Sequence, residues 1–374
     1  MSAEQAGPIA IYGATGYTGR LTAAELVRAG ADVVLAGRDP AKLARLAAEL
    51  GGSVRTHAVA LGDAAGLRRL LEPCACVIAC AGPFVLHGEP VLAAAAETGT
   101  HYVDSTGEQP FMRLVFERYG PVAERNGAVL LTAMGFDYVP GDMIAALTAE
   151  GMDEVDELEL AYGVEDFGTS RGTARSALGM MGGESWEWRD GRLVPADRRS
   201  LRPDFAFPPP LGPQRMVRYP AGEHITVPRH VPVRTVRTSL SAAAVVPGPL
   251  RAASGVVVPL TQMLAASPLR SALARAIDLL PEGPSEGARR AARFTIVCEA
   301  RAGSARRVGV IRGRDVYGLT ARSLAVAARR CAAPGFDRTG ALAPSEAFPP
   351  RDFLPELAEF EVAWEVQSPA DASL

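Results

Sequence analysis

Three glycines mark the first place where this chain could do chemistry: Gly13, Gly16 and Gly19, in the run Gly-Ala-Thr-Gly-Tyr-Thr-Gly. An apolar stretch with strand character, residues 9–12, precedes them, and a helix-forming stretch, residues 20–29, follows. Between a strand and a helix, each glycine has a physical use. Gly13 permits a tight turn, Gly16 lets the backbone approach a pyrophosphate, and Gly19 lets the helix pack close to the sheet. The N–H groups and dipole of the helix start then hold the phosphates. The first two glycines stand one residue further apart than in G-x-G-x-x-G, and an isolated string of this kind also suits a plain tight turn. Thr15, Tyr17 and Thr18 lie within the same turn and join the candidate set.

A second apolar strand, residues 31–36, runs out at Gly37-Arg38-Asp39. An acid at this point suits a ribose 2′-hydroxyl, and an arginine suits a 2′-phosphate. Asp39 reads as a helix N-cap with Pro40 at the first helical position. Arg38 is then the discriminating residue, the alternative being a solvated arginine. Asp63, which opens a helix over 63–71, is a further cofactor candidate. The fourth strand, 76–81, ends in Ala81-Gly82-Pro83-Phe84, whose backbone can run close to a ribose and nicotinamide. His87 beyond it is either a proton donor or structural. The fifth, 102–104, ends in Tyr102-Val-Asp104-Ser105-Thr106-Gly107-Glu108, an acid-and-hydroxyl cluster or else a helix cap and turn. Asp104 and Tyr102 are its catalytic candidates, Ser105 and Thr106 its substrate candidates. The sixth, 128–133, leads to Tyr138, a further proton-donor candidate, and to Asp142, which also suits a helix cap.

Strands at 9–12, 31–36, 54–60, 76–81, 102–104 and 128–133 alternate with helices of about 10–15 residues, the pattern of βαβ units. Right-handed crossovers then give an α/β fold with a doubly wound parallel Rossmann sheet, whose ligands bind at the carboxyl ends of the strands. After Asp142 the texture changes. A strand at 155–163 begins an α+β second domain. In it Ser170, Arg171 and Thr173, with Arg175 and Ser176, precede a helical stretch as an anion or carbonyl site or an ordinary cap. Residues 200–220 are rich in proline and aromatics and read as irregular, 231–240 as a strand, 250–280 as broken helix, and 294–300 with 307–311 as a hairpin. Residues 319–330 form an amphipathic helix with Leu319, Leu324, Ala325 and Ala328 near one face. The expected division is 1–145, an inserted 146–314, and a segment 315–374 returning to the first domain.

The bulk properties narrow the function classes. The formal net charge of −3 over 374 residues points to no nucleic acid partner. Five cysteines suit a reducing compartment. Three of them, Cys74, Cys76 and Cys80, lie on an apolar run where cysteine behaves as a small hydrophobe, so no metal is expected. Residues 1–8 lack the pattern of a signal peptide, and the most apolar stretch, 241–266, is interrupted by Pro247, Pro249, Arg251 and Pro259. A cytoplasmic protein with no integral membrane span is the expectation.

Taken together, IYGATGYTGR, VVLAGRD, CAGPFVLHGEPV, GTHYVDSTGE and GFDYVPGD resemble the saccharopine dehydrogenase-like oxidoreductases, which include trans-acting enoyl reductases. The resemblance is strong over 9–145 and weaker at TSRGT, GPSEGARRAARF and DVYGLTARSLAVAA. It implies an NADP-type Rossmann domain, an inserted second domain and a helix near 318–332 that returns to the first. The expected activity is NADPH-dependent transfer of a hydride to a C=C, C=O or C=N bond of a small-molecule or acyl-type substrate, in a possible homodimer. Two alternatives stand beside it: a non-catalytic NADP(H)-binding sensor or partner subunit, and a reductase of carrier-bound intermediates docked through Arg198, Arg199 and Arg202. The Asp104 turn and the loop from Ser170 to Arg175 are expected to frame one site.

Arg38 generates a prediction. A guanidinium offers planar donors to a 2′-phosphate. Arg38→Ala should weaken NADPH binding by roughly tenfold to a hundredfold, the value of one charge-assisted contact, and leave NADH almost unchanged. Titration of both cofactors against wild type and variant checks this; an equal loss for both would overturn it.

Overall fold

The computed structural model describes residues 7–136, 138–196, 204–245 and 270–367. Arg198, Arg199, Arg202 and most of the apolar stretch 241–266 lie outside the described residues. The chain divides into two compact units, 1–136 with 317–347 and 137–316 with 348–374.

The first unit is built on a seven-stranded sheet. Six strands come from the amino-terminal region: β1 (Ile9–Tyr12), β2 (Val33–Gly37), β3 (Arg55–Ala58), β4 (Cys76–Ala79), β5 (His101–Asp104) and β6 (Val129–Leu131). The seventh is Gly340–Leu342, and the spatial order is Gly340–Leu342, β6, β5, β4, β1, β2, β3. Every pairing is parallel. β1 and β4 are buried at every position, as strands covered on both faces must be. The chain runs outward from β1 to β3, then returns to place β4 on the other side of β1. That reversal is a topological switch point, and it opens a crevice at the carboxyl ends of β1 and β4.

Local chemistry explains the surrounding helices. Asp39 caps helix Pro40–Glu49 by accepting from the Lys42 N–H at 3.1 Å, with Pro40 at the first position. Asp63 caps helix Ala64–Leu71 through the Gly66 N–H at 2.8 Å. Between β5 and β6 the chain forms Gln109–Leu114, a π-helical turn Val115–Tyr119 and Gly120–Arg125 rather than one continuous α-helix. Pro121 has no N–H to continue the ladder, and a Cβ at Gly120 would lie 3.0 Å from the Ala341 methyl.

Helix Val316–Cys331 buries Leu319, Leu324, Ala325 and Ala328. It is tied to the first unit by three contacts. The Phe136 N–H donates to Thr320 Oγ1 at 2.9 Å, Tyr317 meets Tyr17 edge-on at 5.2 Å, and Arg322 pairs with Glu25 at 3.1 Å.

Two expected boundaries need correction. Helix Val139–Ala149 belongs to the second unit, not the first, because Gly309 on strand Ala305–Arg314 lets it sit close. A Cβ there would lie 2.0 Å from Thr148 Oγ1 and 3.0 Å from Ile144 Cδ1. The segment after residue 347 also belongs to the second unit: strand Ala363–Gln367 pairs antiparallel with Ala305–Arg314, setting Trp364 opposite Ile311. Its backbone covers an edge that would otherwise be open.

The second unit has a six-stranded mixed sheet in the order Met216–Arg218, Val233–Ser241, Val155–Glu165, Arg293–Ala302, Ala305–Arg314, Ala363–Gln367. Only Val233–Ser241 and Val155–Glu165 run parallel. The hairpin expected at 294–311 is longer at both ends and turns through Gly303 and Ser304, with Gly303 at φ +57°. In the proline-rich 200–220 stretch, Phe205–Ala206 pairs with Pro213–Gln214, and Phe207 joins an apolar cluster with Ala161, Met216, Val297 and Val310. No helix among the described residues is long and apolar enough to cross a membrane.

Thr320→Val should cost about 1–2 kcal/mol, because it removes the acceptor of the Phe136 N–H while preserving shape. Urea unfolding monitored on the first unit checks this, and an unchanged midpoint would show that the contact contributes nothing.

Candidate functional site

The crevice begins with the glycine turn. Gly13 has φ +82°, and a Cβ there would lie 2.9 Å from both Ala81 N and Cys80 C. Gly19 is buried, and its Cβ would lie 2.3 Å from Gly13 O and 2.9 Å from Ala14 Cα. Packing within the chain therefore dictates both. Gly16 differs. It is exposed at φ −76°, and the nearest atom to an added Cβ, Gly13 O, is 3.4 Å away. Gly16 is the N-cap of helix Tyr17–Arg28, but no side chain caps that helix and its first turn carries no acid. An uncapped helix start with a bare, exposed glycine suits an external anion. Thr15 lies in the turn, and Tyr17 and Thr18 are the first two residues of the helix.

Arg38 follows β2, is exposed, and has no hydrogen-bond or ion-pair partner among the described residues. Its charge lies near Tyr12, whose phenol burial pushes up and Arg38 draws down, and whose hydroxyl donates to Val59 O at 3.0 Å. Asp63 is exposed and its carboxylate is engaged as a helix cap.

The carboxyl ends of β4, β5 and β6 are joined by buried polar groups. Glu108, 4% exposed, accepts from the Phe84 N–H at 2.8 Å and the Val85 N–H at 3.0 Å, which fixes the turn Ala81-Gly82-Pro83. The Glu108 N–H donates to Thr106 Oγ1 at 3.1 Å, and the Thr106 N–H donates to Asp104 Oδ1 at 2.8 Å. Asp104 also accepts from Thr132 Oγ1 at 3.1 Å and the Ala133 N–H at 3.2 Å. Ala133 sits at φ +64°, with its N–H bonded to Asp104 Oδ1 and the following Met134 N–H bonded to Asp104 O at 2.8 Å. Glu108 was not among the candidates expected from sequence. Its fold position was visible only as part of an acid-and-hydroxyl run.

Burial raises the Asp104 carboxyl to about 6, outweighing the hydrogen bonds that favour its anion. With no exposed surface and bonds to Thr106, Thr132 and Ala133, Asp104 braces the loops after β5 and β6. Tyr102 also departs from expectation. Its ring lies in the core of the first unit, and its hydroxyl, beside Asp104 but outside hydrogen-bonding geometry, is enclosed. Burial and the neighbouring carboxylate push its phenol well above the usual range. His87 is exposed at the end of helix Phe84–His87. Ser105 is half-buried, its Cβ 3.1 Å from where a Cβ on Gly135 would lie, and Thr320 Cγ2 is 3.3 Å from the same point. Cys76 and Cys80 lie in and just beyond β4. Burial pushes the Cys80 thiol up to about 12, and no group of three His, Cys, Asp or Glu among the described residues is placed to hold a metal.

The remaining candidates lie in the second unit. Tyr138 is fully buried and accepts from the Tyr219 hydroxyl at 3.4 Å; Asp142 is bonded to His230 Nε2 at 2.9 Å. Ser170 caps helix Arg171–Gly182 through the Thr173 N–H at 3.1 Å. Arg171 donates to the Leu280 carbonyl at 3.0 Å, and Arg175 pairs with Asp278. Both guanidiniums thus serve the 270–282 segment, and the turn is a structural cap rather than an open anion site.

Residues 9–131 match the family described as the saccharopine dehydrogenase NADP binding domain. A candidate trans-acting enoyl reductase of Mycobacterium tuberculosis is 35% identical over 216 residues, 55% of this chain and 51% of that protein. A trans-acting enoyl reductase of Mycobacterium ulcerans is 31% identical over 224 residues, 57% of this chain and 53% of that protein. The chain thus spans about half the length of these relatives. Saccharopine dehydrogenase (L-Glu forming) from Saccharomyces cerevisiae has the same fold, with a TM-score of 0.61 at 14% identity, covering 97% of this chain and 99% of that one.

Asp104 yields a pair of variants. Asp104→Asn keeps an oxygen for the two N–H donors and should cost about 1 kcal/mol at pH 7; Asp104→Ala strands them and should cost roughly 3 kcal/mol or more. A carboxyl raised in the folded state adds stability below its unfolded value, and that stability is lost as pH rises through about 6. Wild type should therefore gain on Asp104→Asn, by up to roughly 3 kcal/mol, as pH falls from about 7 to 4. Chemical denaturation across that range checks it; a pH-independent gap would contradict it.

Proposed function

We propose, from the premise that residues 9–131 are a saccharopine dehydrogenase NADP-binding domain, that this protein is an NADPH-dependent reductase. The observation that carries the reading is Gly16, an exposed glycine on an uncapped helix start at the switch point, whose lack of a side chain nothing in the chain requires. The residues fit the cofactor. Gly13 to Gly19 would hold the pyrophosphate, Arg38 the 2′-phosphate, and the Gly82-Pro83-Phe84 turn the ribose and nicotinamide end. NADPH supplies a hydride when bound. The relatives named enoyl reductases favour a C=C bond conjugated to an acyl carbonyl as its acceptor. Proton delivery falls to His87 among the candidates in the first unit, because it is exposed and Tyr102 is enclosed.

NADPH fluorescence titration, followed by nicotinamide absorbance with enoyl, keto and imine substrates, tests the proposal. Gly16→Ala should keep wild-type thermal stability and lose about tenfold or more in NADPH affinity, since its methyl obstructs only an incoming phosphate. Tight NADPH binding without turnover of any of the three substrates would replace the reductase with a binding protein. An unchanged affinity in Gly16→Ala would remove the glycine turn from the site.

A further inference from the structure

Helix Phe84–His87 is too short to hold itself together: its four residues form one turn. Its first two N–H groups are taken by Glu108, which lies beyond the next strand, at 2.8 and 3.0 Å. A carboxylate bound to two N–H groups from successive residues is a fixed fork, and hydrogen bonds to an ionised acceptor are the stronger kind. The fork is itself anchored. The Glu108 N–H is bonded to Thr106, and Thr106 to Asp104, which is braced by Thr132 and Ala133. An apolar clamp from the same segment completes the hold. Phe111 packs on Phe84 with ring centroids 5.5 Å apart, and a Cβ at Gly88 would lie 2.6 Å from the Phe111 ring. The turn after β4 thus takes its position from the loop after β5, not from its own sequence.

We infer that Glu108 is the positioning residue of the cofactor's nicotinamide half. This rests on the NADPH reading above. Gly82 and Pro83 directly precede the two N–H groups that Glu108 holds, so the carboxylate sets where their backbone lies. The glycine turn and Arg38 follow β1 and β2, whereas the N–H groups that Glu108 holds follow β4. The inference therefore divides the cofactor. Loss of Glu108 should disturb the nicotinamide and its ribose while leaving the adenosine 2′-phosphate and pyrophosphate contacts intact.

The test compares NADPH with 2′-phospho-ADP, which lacks the nicotinamide and its ribose, in calorimetric titrations of wild type, Glu108→Gln and Glu108→Ala. Glu108→Ala should bind NADPH roughly tenfold to a hundredfold more weakly, and 2′-phospho-ADP as wild type does. Glu108→Gln keeps one acceptor but turns an amide N–H toward the other donor, so it should fall between the two and stay folded for comparison. Equal losses for both ligands would make Glu108 a general structural residue, and unchanged NADPH affinity in both variants would also overturn the inference. If wild type binds neither ligand, the cofactor reading fails and takes this inference with it.

Discussion

The close approach of helix Tyr17–Arg28 to the turn after β1 is the contact on which the first unit depends. At Gly19 there is no space for a side chain, since a Cβ would lie within 3 Å of both Gly13 O and Ala14 Cα. That approach lets the helix start directly at the carboxyl end of β1, beside the reversal of strand order. The result is a helix N-terminus aimed where two neighbouring loops diverge, the arrangement that binds phosphates by backbone alone. Gly13 serves the same contact from the other side, against Cys80 and Ala81, so the turns after β1 and β4 are packed on each other.

A second constraint is electrostatic. Glu108 and Asp104 are buried carboxylates that accept at the strand ends from backbone N–H groups and from the Thr132 hydroxyl. Burying an anion is costly unless donors surround it. The donors here come from loops that follow different strands, so satisfying the charge also fixes those loops to one another. For Asp104 the desolvation cost still exceeds the gain, as its raised pKa shows. The Tyr102 phenol beside it is raised for the same reason.

The second unit handles its charges in a comparable way without a glycine turn. Glu187 is enclosed with Arg218 and also pairs with Arg189. Gly141 leaves space for the Tyr162 hydroxyl and its hydrogen bond to Glu223, which lie where a side chain would otherwise be. Asp142 is held by His230. The approach of Gly141 to Tyr162 seats helix Val139–Ala149 on strand Val155–Glu165 of the mixed sheet, and so explains why that helix leaves the first unit, although it directly follows the loop after β6.

The sequence by itself determined the alternation of strands and helices, the doubly wound sheet, the caps at Asp39 and Asp63, and the glycine turn with Arg38 beyond β2. Each of these rests on neighbours within about a dozen residues, through hydrophobic period, capping chemistry or backbone freedom. Tertiary structure decided the rest. Glu108 and Phe84 are 24 residues apart, and nothing local marks the carboxylate as a partner of those N–H groups. Arg171 looked free in sequence but is held by a carbonyl 109 residues away. Tyr102 and Asp104 had the chemistry of a catalytic pair, yet the packing of β5 between β4 and β6 encloses both. Residue type and spacing show what chemistry a group can do. Which groups remain open to a ligand depends on contacts between distant segments, and those are settled only when the sheets and helices pack.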